Sequence, residues 1–194
     1  MELLALCLVA YLAGSVNFSI LAFMLAGRGD PRHLFSGNPG TVNTYRALGP
    51  GWALGVLCFD LGRGALVALA AQGLFQTPWA LVLGSLSVLL GNFYPAFHDF
   101  RGGKGVATAL GIYLVVDPIA ALLVGGGWIV IVYLGRRASV GSLLAMIAYP
   151  IILAARNVPD WKTAFAVAVA VVIIYRHWGN VKRLFSGKEP LVRR

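Results

Sequence analysis

The chain has 194 residues, 59% of them apolar and only 12% charged, with a formal net charge of +9. This composition excludes a soluble domain of ordinary surface chemistry and describes a membrane protein. Nor does the positive charge indicate a nucleic-acid partner, because the basic residues fall in short gaps between apolar runs rather than on one solvated face.

Met1 to Ala26 lacks a basic leader and stays apolar too long for a removable signal, so it is expected to remain as a membrane helix. Its stretch from Leu3 to Ala26 is 24 residues, enough to cross a hydrocarbon core of about 30 Å. Gly27 to Pro50 is a polar, turn-rich loop, long for a connection and therefore expected to be functional. Trp52 to Ala71 is the second span. It carries Asp60 and Arg63 on one face, where pairing offsets a cost of about 2.5–3.5 kcal/mol for each lone charge at the bilayer centre. A structural pair is set against a reach by either charge into a site. Cys7 and Cys58 lie inside apolar runs and imply neither a metal nor a disulfide.

Pro78 to Phe97 forms the third span, interrupted near its end by Asn92 and Pro95. Val106 to Val116 is apolar but has only 11 residues, and is read as a tilted or partial helix. Pro118 to Leu134 and Val140 to Ala155 follow, separated by Arg136-Arg137. After the loop from Arg156 to Lys162 comes a last span flanked by Trp161 and Trp178 as interfacial anchors. The tail from His177 is polar and basic. The expectation is an all-α integral membrane protein, one polytopic domain over residues 1–194, built as a bundle of about seven transmembrane helices.

Charge orients that bundle. Thirteen of the 16 Lys and Arg lie in the loops 27–50, 98–105 and 135–138 and in the tail from Arg176, whereas Arg156 and Lys162 alone lie on the other side. The bias places the three loops and the tail in the cytoplasm and the N-terminus outside. Arg193-Arg194 are read as a contact to anionic lipid.

Within the second of those loops, Phe100-Arg101-Gly102-Gly103-Lys104-Gly105-Val106-Ala107-Thr108 combines three glycines with a lysine at a helix start. Backbone N–H groups turned to one point, plus a full charge, would hold a phosphate. The bland alternative is a glycine-rich helix boundary with one snorkelling lysine. A nucleotide P-loop is excluded, because His98 occupies the position of its first glycine and Gly105 follows the lysine. The first loop adds Ser36, Gly37, Asn38, Gly40, Asn43 and Arg46, and the tail adds His177, Asn180 and Arg183. Two cationic groups, a glycine nest, a hydroxyl and an imidazole are what two phosphorylated substrates would need.

Three motifs then resemble those of the bacterial acyl-phosphate:glycerol-3-phosphate acyltransferase family, known as PlsY, across nearly the whole chain. They are Ser36-Gly37-Asn38-x-Gly40-x-x-Asn43-x-x-Arg46; Tyr94-Pro95 followed by Phe100 to Thr108; and His177-x-x-Asn180-x-x-Arg183 with Gly187 and Glu189. Departures are Asn92 where relatives usually have His, Asn17 where the first span usually has Pro, and Phe35 where Gly often precedes the serine.

The resemblance implies transfer of a fatty acyl group from acyl phosphate to the sn-1 hydroxyl of glycerol 3-phosphate, giving lysophosphatidic acid and inorganic phosphate at the bacterial inner membrane. It implies catalytic roles for Ser36, Asn38, Arg46, Lys104, His177 and Asn180. Substrate contacts are implied for Gly37, Gly40, Thr41 and Asn43 in the first loop, Arg101, Gly102, Gly103 and Gly105 in the second, and Ser142. For Ser142 the alternative is a serine satisfying a helix carbonyl; for His177 it is an interfacial cap of the last helix. Glu189 is read as a structural partner of a loop cation. The partners expected are the two substrates and membrane lipid and no nucleic acid, with the oligomeric state left open and a monomer compatible with the sequence. No cofactor or metal is expected, since the seven acidic residues form no cluster along the chain. A transporter of organic anions is the competing class, and it would place ionisable residues deep in several spans or show two matched halves.

Overall fold

A computed structural model of the chain describes residues 1–192. Among the described residues there are ten α-helices and no strand: α1 Glu2–Ser15, α2 Phe18–Leu25, α3 Thr41–Leu48, α4 Pro50–Phe75, α5 Pro78–Phe93, α6 Val106–Val116, α7 Pro118–Gly135, α8 Ala138–Ala155, α9 Asp160–Arg176 and α10 Trp178–Phe185. All seven expected apolar segments are helical. Four stretches are long and apolar enough to cross a bilayer: α1 with α2, α4, α7 and α8. A fifth is α9 with α10, bent by 56°, while α5 and α6 are apolar but shorter, at 16 and 11 residues. The all-α integral membrane class therefore stands. The lipid contact expected of Arg193-Arg194 lies outside the described residues.

The helices form two compact units, one over Met1–Val115 and a second beginning at Val116. In the first unit the expected single span Leu3–Ala26 is broken at Val16-Asn17. Asn17 is the cause: its Oδ1 accepts from the Ile20 amide at 3.0 Å and caps α2, and its Nδ2 donates to the Pro39 carbonyl at 3.3 Å. The break frees carbonyls at membrane depth, which must be satisfied by protein. Arg63 does this, with Nη1 donating to the Gly14 and Val16 carbonyls at 3.0 and 2.7 Å. Its Nη2 pairs with Asp60 at 2.8 Å and its Nε donates to Thr108 Oγ1 at 3.2 Å. The Asp60–Arg63 pair is thus structural, joining α4 to the α1–α2 break and to the start of α6.

Close helix approach is built from glycine. A Cβ on Gly14 would overlap the Val88 carbonyl and one on Gly91 the Tyr11 carbonyl, so α1 and α5 touch backbone to backbone. Gly64 and Gly111 do the same for α4 and α6, against the carbonyls of Thr108 and Leu61. The third span ends at Phe93, four residues before the expected Phe97, because Pro95 lacks the amide that would continue it.

In the second unit Asp117 caps α7, accepting from the Ala120 amide at 2.9 Å, and its other oxygen lies 3.5 Å from Arg156 Nε at the end of α8. Lys162 Nζ, in the first turn of α9, donates to the Val116 carbonyl at 2.8 Å. The end of α6, the starts of α7 and α9 and the end of α8 are therefore gathered at one end of this unit. At the close of α9 the chain turns at His177 and continues as α10, a short amphipathic helix where the sequence suggested only a polar tail.

Candidate active site

The first loop is ordered from within. It contains a 3-10 turn over Pro31–His33 and the helix α3, neither of which the sequence pattern predicts. Asn43, 1% exposed on α3, is its hub. Its Oδ1 accepts from Ser36 Oγ and from Arg46 Nη1, each at 3.0 Å, while its Nδ2 donates to the carbonyls of Leu34 at 2.9 Å and Pro31 at 3.4 Å. Through these bonds Asn43 fixes Ser36 and Arg46 relative to each other. Gly37 has φ +71, and a Cβ there would sit 3.3 Å from the Arg32 carbonyl, so the turn before Asn38 needs glycine. Phe35 takes φ 49 and places its ring 6.0 Å from the Arg46 guanidinium, a cation–π contact. Thr41 begins α3 with its hydroxyl buried and without a hydrogen-bond partner.

The glycine loop lies against this one. A Cβ on Gly103 would be 3.3 Å from the Pro39 carbonyl and 3.9 Å from Asn38 Oδ1. Its amides, however, do not all converge on one point. Gly102 N–H donates to the Phe93 carbonyl at 3.2 Å and Gly103 N–H to the Asn92 carbonyl at 3.0 Å, closing the end of α5. Those two glycines are needed for close packing, since a Cβ on Gly102 would overlap the Asn92 carbonyl. The first turn of α6 follows directly, with half-buried Lys104 just before it. Gly105, at φ +75 and with Phe93 Cε1 2.7 Å from where a Cβ would be, makes the sharp entry to that turn. Arg101 is exposed.

In the second unit His177, 3% exposed, directs Nδ1 at the Ile173 carbonyl at 2.8 Å. A carbonyl only accepts, so Nδ1 carries a proton. Asn180 gives one N–H to Glu189 Oε1 at 2.6 Å, and Arg183 Nε donates to Glu189 Oε2 at 2.9 Å. Burial alone would raise the Glu189 carboxyl, but the hydrogen bonds from Asn180 and Arg183, the nearby Ser139 hydroxyl and the Arg183 charge together hold it below the usual carboxylate range. Glu189 is the structural anchor that the third motif suggests. Ser142 Oγ donates to the Ala138 carbonyl at 3.0 Å and accepts from Trp128 Nε1 at 3.1 Å, linking α7 to α8.

Sequence reasoning missed Arg32. Its Nε donates to Asp30 Oδ2 at 2.8 Å, its Nη1 to the His98 carbonyl at 2.9 Å and its Nη2 to Asp99 Oδ2 at 3.3 Å. The residue lies outside every motif pattern, and the two partners in the glycine loop are 66 and 67 positions away, beyond the reach of a local pattern.

A family model described as glycerol-3-phosphate acyltransferase matches residues 4–187. The chain belongs to that family. It is 38% identical over 188 residues to the glycerol-3-phosphate acyltransferase of Thioalkalivibrio sulfidiphilus, covering 97% of this chain and 93% of the relative. It is 40% identical over 195 residues to that of Cupriavidus necator, covering 97% and 96%. Among solved structures it resembles PlsY (YgiH), an integral membrane glycerol 3-phosphate acyltransferase, in its glycerol 3-phosphate form, with a TM-score of 0.93, 37% identity and coverage of 98% and 96%. The lysophosphatidic acid form of that protein matches with a TM-score of 0.90 and 36% identity, covering 98% and 95%. Family membership makes the chain an acyltransferase, the class that the three motifs imply.

Proposed function

We propose that the chain transfers a fatty acyl group from acyl phosphate to the sn-1 hydroxyl of glycerol 3-phosphate, releasing lysophosphatidic acid and inorganic phosphate. The observation that carries this reading is the first unit's pairing of two loops. One holds Ser36 and Arg46 on a shared Asn43, and the other opens α6 with Lys104, with Asn38 and Pro39 lying against Gly103. Two anion-binding groups on adjacent loops suit a reaction between two phosphorylated molecules.

An acyl phosphate is a mixed anhydride with a good leaving group, so the demand on the protein is to hold two anions close and orient a hydroxyl. Lys104 and the first-turn amides of α6 hold the acyl-phosphate group. Arg46, fixed by Asn43, holds the glycerol 3-phosphate. Because Ser36 gives its proton to Asn43, its lone pairs suit accepting a substrate hydroxyl rather than donating to an oxyanion, which leaves the Asn38 amide for the developing negative charge. The glycerol oxygen attacks the acyl carbonyl, the carbonyl carbon–phosphate oxygen bond breaks, and the hydroxyl proton ends on the departing phosphate. A substrate phosphate oxygen takes that proton, since the Asp30 carboxylate is bonded to Arg32. Burial would raise Asp30, but the Arg32 side chain, amide and charge hold it below the usual carboxylate range.

In this reading the chain works as one polytopic domain, crossing the bacterial inner membrane seven times with its motif loops in the cytoplasm, as the charge bias supports. The test is phosphate release by the purified protein in monoolein, given palmitoyl phosphate with and without glycerol 3-phosphate. Release that requires both and yields lysophosphatidate is expected, and Lys104→Ala should lower it by about 10²–10³-fold. Reaction with acyl-CoA alone, or anion flux without chemistry, would sink the proposal.

A further inference from the structure

Asp99 and Phe100, at the turn that feeds the glycine loop, both sit at positive φ, 54° and 55°. Two successive side-chain-bearing residues in the left-handed region persist only where surrounding structure holds them there. Part of the hold is internal: the His98 and Phe100 amides both reach back to the Pro95 carbonyl, at 3.2 and 3.1 Å, and the Arg101 amide donates to the His98 carbonyl at 3.0 Å. The rest comes from the first loop, where Arg32 donates to that same His98 carbonyl and pairs with Asp99. Asp30 orients Arg32 for this, bonding its Nε at 2.8 Å and its backbone amide at 2.8 Å, and pairing with its Nη2 at 2.7 Å. A guanidinium fork can serve these directions at once, whereas a lysine ammonium is a single flexible point. Four residues after Arg32 comes Ser36, and five residues after Asp99 comes Lys104.

From this geometry we infer that Arg32, set by Asp30, is a positioning residue that clamps the turn at His98–Phe100 and so fixes the distance between the two substrate-holding loops. The inference rests on the reading that the first loop holds glycerol 3-phosphate and the second the acyl phosphate. Each loop keeps its own phosphate ligands when the clamp is lost. What is lost is the approach of one substrate to the other, so turnover falls while each substrate still binds, and a misplacement of about 1 Å is enough to cost about 10²-fold.

Initial rates for wild type, Arg32→Lys and Asp30→Asn, with each substrate varied in turn, test this. Arg32→Lys should lower kcat by about tenfold or more with both KM values within about threefold of wild type. Asp30→Asn keeps the bond to the Arg32 amide and loses the charge, and it should show the same pattern more weakly. Hydrogen exchange in the same preparations gives a readout independent of the reaction: exchange over residues 98–105 should speed up in Arg32→Lys while the helices of the first unit stay protected. Unchanged kcat, a KM rise that accounts for the whole loss, or global loss of protection in both variants would overturn the clamp. Unchanged exchange over 98–105 would overturn it even if wild type made no lysophosphatidate, an outcome that by itself sinks only the proposed reaction.

Discussion

His177 is the residue on which the chemistry divides. Its Nδ1 proton is committed to the Ile173 carbonyl, so Nε2 could accept a proton, yet the same bond also describes a histidine that only caps the end of α9. Replacement by Gln separates the two. If a substrate phosphate takes the proton, His177→Gln should keep turnover within about tenfold of wild type, because general-base assistance is typically worth more, about 10²–10⁴-fold. Turnover abolished while glycerol 3-phosphate still binds would make His177 the base instead. Glu189 allows a second argument from one side chain. Its folded carboxyl titrates below the ordinary value of 4.5, so the stability it adds is fully present above about pH 4.5 and fades as pH falls through its lower folded value. Glu189→Gln should therefore lower the melting temperature at neutral pH, and the gap to wild type should close as the pH falls through the lowered folded value of that carboxyl. The KM for glycerol 3-phosphate in the folded fraction should change little.

At the scale of elements, the apolar segments were legible because hydropathy and length are local properties, and the three motifs were legible because their spacing is local too. What escaped the sequence depends on contacts between distant stretches. Asn17 reads as a polar residue inside an apolar run, and only the Pro39 carbonyl beside it explains why the first span breaks there. Asn43 and Ser142 are picked out by their motif and position, but the partners that hold them, Ser36 and Arg46 for the one and Trp128 for the other, are contacts that spacing cannot show. The glycine loop reads as a nest from its composition, yet two of its amides close α5 instead. Glycine pairing between helices makes a prediction of its own. Gly91→Leu would drive a side chain into the Tyr11 carbonyl and part α1 from α5, so the protein should unfold at lower temperature in detergent, whereas Gly126→Leu, with open space around it, should be tolerated. Thermal unfolding followed by tryptophan fluorescence would compare the two.

For the whole molecule the decisive quantity is the parity of membrane crossings, and it turns on α6. Eleven residues make a helix of about 16 Å, roughly half of a 30 Å hydrocarbon core. If α6 nevertheless counts as a crossing, the glycine loop before it reaches into the depth of the membrane. Irregular backbone is tolerated at such depth only when protein satisfies it, which fits the donation of the Gly102 and Gly103 amides to α5. It would also place the phosphate end of a long-chain substrate near its own hydrocarbon tail. With α6 crossing there are seven passes, and the N-terminus and the tail lie on opposite sides; without it there are six, and they share a side. Single cysteines at Glu2, Asn157 and Lys188, in a Cys7→Ala, Cys58→Ala background, read this directly with a membrane-impermeant maleimide on intact spheroplasts. Seven crossings predict labelling at positions 2 and 157 and protection at 188 until the membrane is permeabilised. Labelling at 188 together with 2 would mean six crossings, and would overturn the cytoplasmic placement of the tail.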